Sequence, residues 1–190
     1  MSNRLLTALC VGVFACSLPA GGALAAVTVI GSGSAQLCFQ AADSGRSQRE
    51  GIGYCNDALV GPLTKDDRAA TYINRGVIEL NLMKVTAAQD DFNAGLAING
   101  NLGEGYVDRG ATLIAQKKFA DAILDINKGL SLGAKEPHIA YYDRAVAEEG
   151  LGNLKAAYDD YRQALIVQPD FTRASDELKR FKIVEKPSGA

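Results

Sequence analysis

The stretches Tyr72-Ile73-Asn74-Arg75-Gly76, Tyr106-Val107-Asp108-Arg109-Gly110 and Tyr141-Tyr142-Asp143-Arg144-Ala145 share one pattern, Tyr-x-x-Arg followed by a small residue. The small residue recurs after 34 positions and then after 35. A period in the low thirties belongs to a helical hairpin that cannot bury its apolar side alone and stacks on copies of itself. The spacing therefore predicts an all-α solenoid. Stacked hairpins offer a surface to partners and rarely carry chemistry, so the expected class of function is binding.

Working outward, each unit repeats the same plan. Gly76, Gly110 and Ala145 lie in a first helix, and Ala88, Ala122 and Ala157 follow twelve residues later in a second. Helices cross closely only where neither side has bulk, so small residues at matching depth let each hairpin close. Phe92, Ile126 and Tyr161 come four positions after those alanines on the same face, and Leu96, Leu130 and Leu165 follow a turn later to fill the space between units. The units run over 69–101, 103–136 and 137–170, and the single extra residue falls in the inter-hairpin turn from Ser131 to His138, where an insertion costs little.

Together these positions resemble the tetratricopeptide repeat, with its small-Ala-aromatic-Pro signature over 34 residues. Tyr141, Ala145, Ala157, Tyr161 and Pro169 of the third unit are all in register. Gly100 and Ala134 stand in place of the proline in the other two, and Glu79, Leu113 and Glu148 replace the aromatic expected after the first small residue. The resemblance covers 69–170 and implies a right-handed solenoid whose first helices line a concave groove. Asn74, Val77, Asp108, Ala111, Tyr142, Asp143 and Val146 are then the groove residues, with Ile73 and Val107 beside them. Family members that clamp a peptide's C-terminal carboxylate use Lys or Arg at such positions. Here they are apolar or acidic, which implies a basic or amphipathic peptide, or else a polar lining that only solvates a shallow groove.

Both ends differ from the repeats. Arg4, the apolar run from Leu5 to Leu18 and the small-x-small triplet Ala23-Leu24-Ala25 have the layout of a secretory signal peptide over 1–25, removed before Ala26. An uncleaved anchor is the rival reading, but Pro19 and Gly21-Gly22 break a run shorter than the ~20 residues a span needs. Lipidation at Cys16 fits poorly, because Phe14 precedes the small residue. Without the leader, 19 basic face 22 acidic residues, a balance with no basic field for nucleic acid and no membrane span. Residues 26–34 read as a flexible lead-in. A degenerate hairpin follows over 35–60, with a first helix over 35–42 and a second opened by a Ser47/Glu50 capping box. Cys38 and Cys55 lie nearly symmetrically about the turn Asp43-Ser44-Gly45 and are expected to form a disulfide, as suits an exported chain. Thr64 and Asp67 cap the next helix. A capping helix over 171–183 is expected to turn Arg173, Lys179, Arg180 and Lys182 to solvent, and 184–190 to be a disordered tail.

No residue set supports catalysis, a cofactor or a metal. His138, the one histidine, follows Pro137 in a turn; Gly31-x-Gly33 lacks the Lys-Ser/Thr of a phosphate loop; the Asp90-Asp91 and Asp159-Asp160 pairs do not converge. Arg75, Arg109 and Arg144 each precede an aspartate (Asp91, Asp125, Asp160) by sixteen residues, which predicts one structural ion pair per hairpin, the alternative being a grip on a ligand carboxylate. Signal, two-cysteine mature chain and size resemble the small periplasmic repeat proteins of Gram-negative bacteria. The expected role is a non-enzymatic adaptor that holds a partner's peptide segment in the groove; the second expectation is a holdase-like periplasmic chaperone.

Overall fold

The computed structural model describes residues 4–8, 25–29 and 33–185. Its helices pair as antiparallel hairpins in chain order: α1 (Ser34–Ser44) with α2 (Gln48–Val60), α3 (Lys65–Asn81) with α4 (Val85–Ile98), α5 (Gly103–Ala115) with α6 (Phe119–Ser131), and α7 (Pro137–Gly150) with α8 (Leu154–Val167). Each hairpin then packs on the next, as the repeat requires. A short helix α9 (Thr172–Leu178) packs on α8. No helix among the described residues is long and apolar enough to cross a membrane.

The small residues act as the spacing predicts. A Cβ on Gly76 would stand 2.7 Å from the Phe92 ring, and one on Gly110 would stand 2.6 Å from Ile126, so each first helix touches the bulky residue of its partner directly. Phe92, Ile126 and Tyr161 are fully or almost fully buried. Within each hairpin the turn needs one left-handed residue, at Met83, Lys117 and Gly152, and only the third unit supplies the glycine that adopts it without strain. The inter-hairpin turn from α6 to α7 is one residue longer than that from α4 to α5, where the sequence places its extra residue.

The predicted ion pairs form on all three repeat hairpins and extend further than expected. Arg75, Arg109 and Arg144 each grip their aspartate through Nε and Nη2 at 2.6–2.8 Å. The remaining Nη1 reaches back to Asn56, Asn93 or Asn127 on the second helix of the preceding hairpin, at 2.7, 2.9 and 2.5 Å. Each guanidinium also lies 5.3–5.5 Å from the ring of the tyrosine three residues before it, which accounts for the Tyr-x-x-Arg motif. One arginine thus joins two hairpins, and the hydrogen bond to its aspartate is the main reason each guanidinium is held above its ordinary range.

At the N-terminal end, Cys38 and Cys55 form the expected disulfide between α1 and α2, both sulfurs buried. The Thr64 cap forms, its hydroxyl accepting the Asp67 backbone N–H at 3.1 Å and donating to the carboxylate at 2.7 Å. The Ser47/Glu50 capping box does not. Ser47 is left-handed (φ 51°), so its hydroxyl caps no backbone N–H of α2.

The C-terminal end corrects the expected helix over 171–183. α9 stops at Leu178, and Phe181–Glu185 forms strand β2, paired antiparallel with β1 (Arg4–Ala8), Arg4 opposite Glu185 and Ala8 opposite Phe181. The run Phe181-Lys182-Ile183-Val184 is rich in β-formers, which outweighs helix continuation. Val184 and Glu185 are therefore ordered in the strand; 186–190 lie outside the described residues, as do 9–24, with Cys10, Cys16 and most of the leader. Residues 25–29 are not a flexible lead-in either. They run extended against the array, with Val27 8% and Val29 3% exposed.

Candidate functional site

Asn74, Asp108 and Asp143 each sit one residue before the arginine of their unit. A step of one residue turns the side chain about 100° around the helix, so the arginine faces its hairpin partner while its neighbour faces along the row of first helices. α3, α5 and α7 form that row and touch one another in sequence.

At α3 the groove is occupied by the chain itself. The Asn74 side-chain oxygen accepts the Val27 backbone N–H at 2.7 Å, and its amide nitrogen donates to the Val27 carbonyl at 2.8 Å. A single amide orientation satisfies both bonds, so Asn74, fully buried, takes the place of a neighbouring β-strand for one residue of extended chain. Val27 and Val29 join the core of Ile73, Val77 and Ile78, and Ala26 packs at its edge.

One unit on, Asp108 is completely buried, and neither carboxylate oxygen has a hydrogen-bond partner among the described residues. Its carboxyl is pushed well above the usual carboxylate range, chiefly by burial and then by Asp143, Glu104 and Glu136, while the backbone N–H of Ala25 draws it down. In the third unit burial lifts Asp143 to about 7, and Arg173 of α9 opposes that rise. Arg173 lies 4.2 Å from the centre of the Tyr142 ring with its Nε buried and unpaired, so this cation turns into the groove end and not to solvent as expected; Lys179 and Arg180 remain exposed. Tyr142 also meets Phe171 and Tyr161 at ring separations of 5.6 and 5.5 Å.

Of the seven groove residues read from the sequence, Asn74, Val77, Asp108 and Tyr142 are buried, whereas Ala111, Asp143 and Val146 keep part of their surface. Asn74 and Asp108 are brought together by the segment 25–29, and Asp143 adds to the same negative field. Sequence reasoning missed the segment, the Asn56/Asn93/Asn127 series and Arg173. The β-branched run Val27-Thr28-Val29-Ile30 was a usable sign that this stretch is extended and packed. His138 packs edge-on to Phe171 at 5.0 Å. Among the described residues no His/Cys/Asp/Glu group has the arrangement to hold a metal. A separate open pocket of about 370 Å³ lies at the array's end between α8, Leu178 and Phe181, lined by Tyr158, Arg162, Leu165 and Ile166.

No family model matches the chain. The Dictyostelium discoideum "DnaJ homolog subfamily C member 7 homolog" is 24% identical over 111 residues, 58% of this chain and 20% of that protein, so the chain spans about one fifth of that relative's length. Among solved structures, the first TPR domain of Spaghetti (RPAP3), bound to the HSP90 peptide SRMEEVD, is 25% identical with a TM-score of 0.57, covering 62% of this chain and 94% of that one. The Arabidopsis OM64 TPR domain gives 24% and 0.58, covering 62% and 96%. MamA from Desulfovibrio magneticus RS-1 gives 20% and 0.62, covering 76% and 81%. The chain has the fold of a tetratricopeptide-repeat solenoid. The Arg–Asp–Asn links lie about 100° around each first helix from Asn74, Asp108 and Asp143.

Proposed function

We propose that this TPR protein is a non-enzymatic interaction scaffold, exported to the bacterial envelope, that holds an extended basic or amphipathic peptide segment of a partner in its concave groove. The observation that carries the reading is the Asn74 clamp: both backbone groups of Val27 are held by one side chain, which is how a groove recognises extended chain without regard to sequence. The free part of the groove is the stretch with Ala111, Asp143 and Val146, beside the buried Tyr142, apolar with a carboxylate in it. The RPAP3 domain is bound to an acidic peptide ending EEVD; the partly exposed Asp143 would repel such an end here, which favours a basic segment. The leader-like 1–25 and the Cys38–Cys55 disulfide support export.

The test is a fluorescence-anisotropy titration with a labelled Lys/Leu-alternating peptide and a labelled EEVD-ended peptide. The basic peptide should bind at least tenfold more tightly at low salt, and the partly exposed Asp143→Lys should abolish that preference without lowering helicity. Equal binding of both peptides, or no effect of Asp143→Lys, overturns the reading.

A further inference from the structure

Asp108 is the one fully buried carboxylate whose two oxygens have no hydrogen-bond partner among the described residues. The charged groups that act on it are acidic, Glu104 on α5, Glu136 at the start of α7 and Asp143 on α7, with Arg173 of α9 the cation facing Asp143. Such a site calls for a cation that fits a space closed to solvent. The backbone of residues 25–29 is what reaches it. Asn74 fixes Val27 in both directions, and two residues upstream the Ala25 N–H faces the Asp108 carboxylate. The Ala26 nitrogen is one residue along the chain from each, roughly 3.3–3.6 Å from the Ala25 nitrogen.

Ala23-Leu24-Ala25 is the small-x-small triplet of the leader, and the bond that would be cut is Ala25–Ala26. Hydrolysis of that bond by an export endoprotease consumes one water. It leaves a carboxylate on Ala25, which departs with the leader, and an amine on Ala26. The amine takes up the proton that the new Ala25 acid releases, which places an ammonium beside the Asp108 carboxyl group. We infer that Asp108 is the receptor for the chain's own α-ammonium at Ala26, so that removal of the leader locks residues 26–29 into the first two units of the groove. This rests on the export reading above. It narrows the peptide-binding role, because an outside segment then has the α5–α7 end of the groove and must displace a tethered one to go further.

The experiment uses full-length chain secreted into a bacterial periplasm, with its start read by intact mass. The α-amine is then challenged with an amine-acylating reagent at pH 7 and followed by peptide mapping. Asp108→Asn and a chain with one glycine inserted between Ala25 and Ala26 are run in parallel. The wild-type amine should acylate at least tenfold more slowly than in either variant. In addition, Asp108→Asn should lower Tm in the processed chain and raise it in the intact chain made in an oxidising cytoplasm, where it removes a carboxyl with no partner. Equal acylation rates, the same sign of Tm change in both forms, or a start other than Ala26 overturns the inference. Those outcomes leave the peptide titration untouched, and a protected amine with no peptide preference would sink the groove reading alone.

Discussion

At the N-terminal end the array is closed by α1 and α2, whose buried residues are Ala35, Cys38, Ala41, Ala42, Gly51, Cys55 and Ala58; at the C-terminal end it is closed by the seven residues of α9 and a cluster of rings. The first set has the helix length of a repeat but almost no side-chain volume. Its helices approach closely (a Cβ on Gly51 would stand 2.6 Å from that of Ala41), and little apolar area is removed from water. A covalent bond supplies what burial does not. The second set has the opposite character: Phe171, Tyr142, Tyr161, His138 and Phe181 stack in edge-on and tilted pairs, and no covalent link is needed. It is also incomplete, since Ile166 on α8 stays 67% exposed beside the open pocket. A terminal hairpin can thus be held by restricting the unfolded chain or by burying rings, and this molecule does one at each end.

The largest effect should come from the covalent end. Replacing Cys38 and Cys55 by Ser should cost about 3 kcal/mol, the chain-entropy value for a loop of this length. Hydrogen exchange should show the loss concentrated in 34–60 rather than in 103–167; an even loss over both would break the contrast between the ends. Next, Phe171→Ala should cost about 2 kcal/mol in urea unfolding, less than a fully buried ring because Phe171 keeps some surface. It should also release Arg173 from Tyr142, while leaving exchange in 34–60 unchanged.

A smaller effect tests the cation that the C-terminal cap lends to the groove. Asp143 is raised from 3.8 to about 7 in the folded protein, so the folded state binds its proton more tightly than the unfolded one. The stability this contributes is full below the unfolded value and is lost as pH rises toward 7. Asp143→Asn should therefore be more stable than wild type at pH 8 by about 1 kcal/mol, a figure kept low because the residue retains water contact, and equal to it near pH 4. A constant offset across that range would show that the carboxyl is not titrating as buried. The smallest effect lies at neither end. Lys117→Gly relieves a left-handed residue (φ 60°) and should add about 0.5 kcal/mol, as should Met83→Gly, with no change in exchange at either terminus.

How far the sequence could be read depended on whether a feature repeats. The Gly76–Phe92 and Gly110–Ile126 contacts, the three Arg–Asp pairs and the hairpin boundaries were legible because three copies in phase separate a geometric demand from chance. The Cys38–Cys55 bond was legible for another reason, symmetry about a single turn. Ser47 and Glu50 had the spacing of a capping box, yet the tight turn forces Ser47 into a left-handed conformation, which that spacing cannot show. The candidate site was only half visible: the positions Asn74, Asp108 and Asp143 followed from the repeat, but their burial and their occupant did not.

The sequence by itself determined the helical hairpins, their stacking period, the small-against-large contacts and the in-phase charges, because each depends on residues a fixed number of positions apart within one unit or its neighbour. Only the tertiary structure decided that Val27 lies against Asn74, 47 residues away in the chain, that Arg173 folds onto Tyr142, and that Phe181–Glu185 leaves the helix to pair with Arg4–Ala8. Those contacts join segments that occur once, at the ends of the array. There the competition between solvent, groove and neighbouring strand is set by shape and burial in three dimensions, and no periodicity records it.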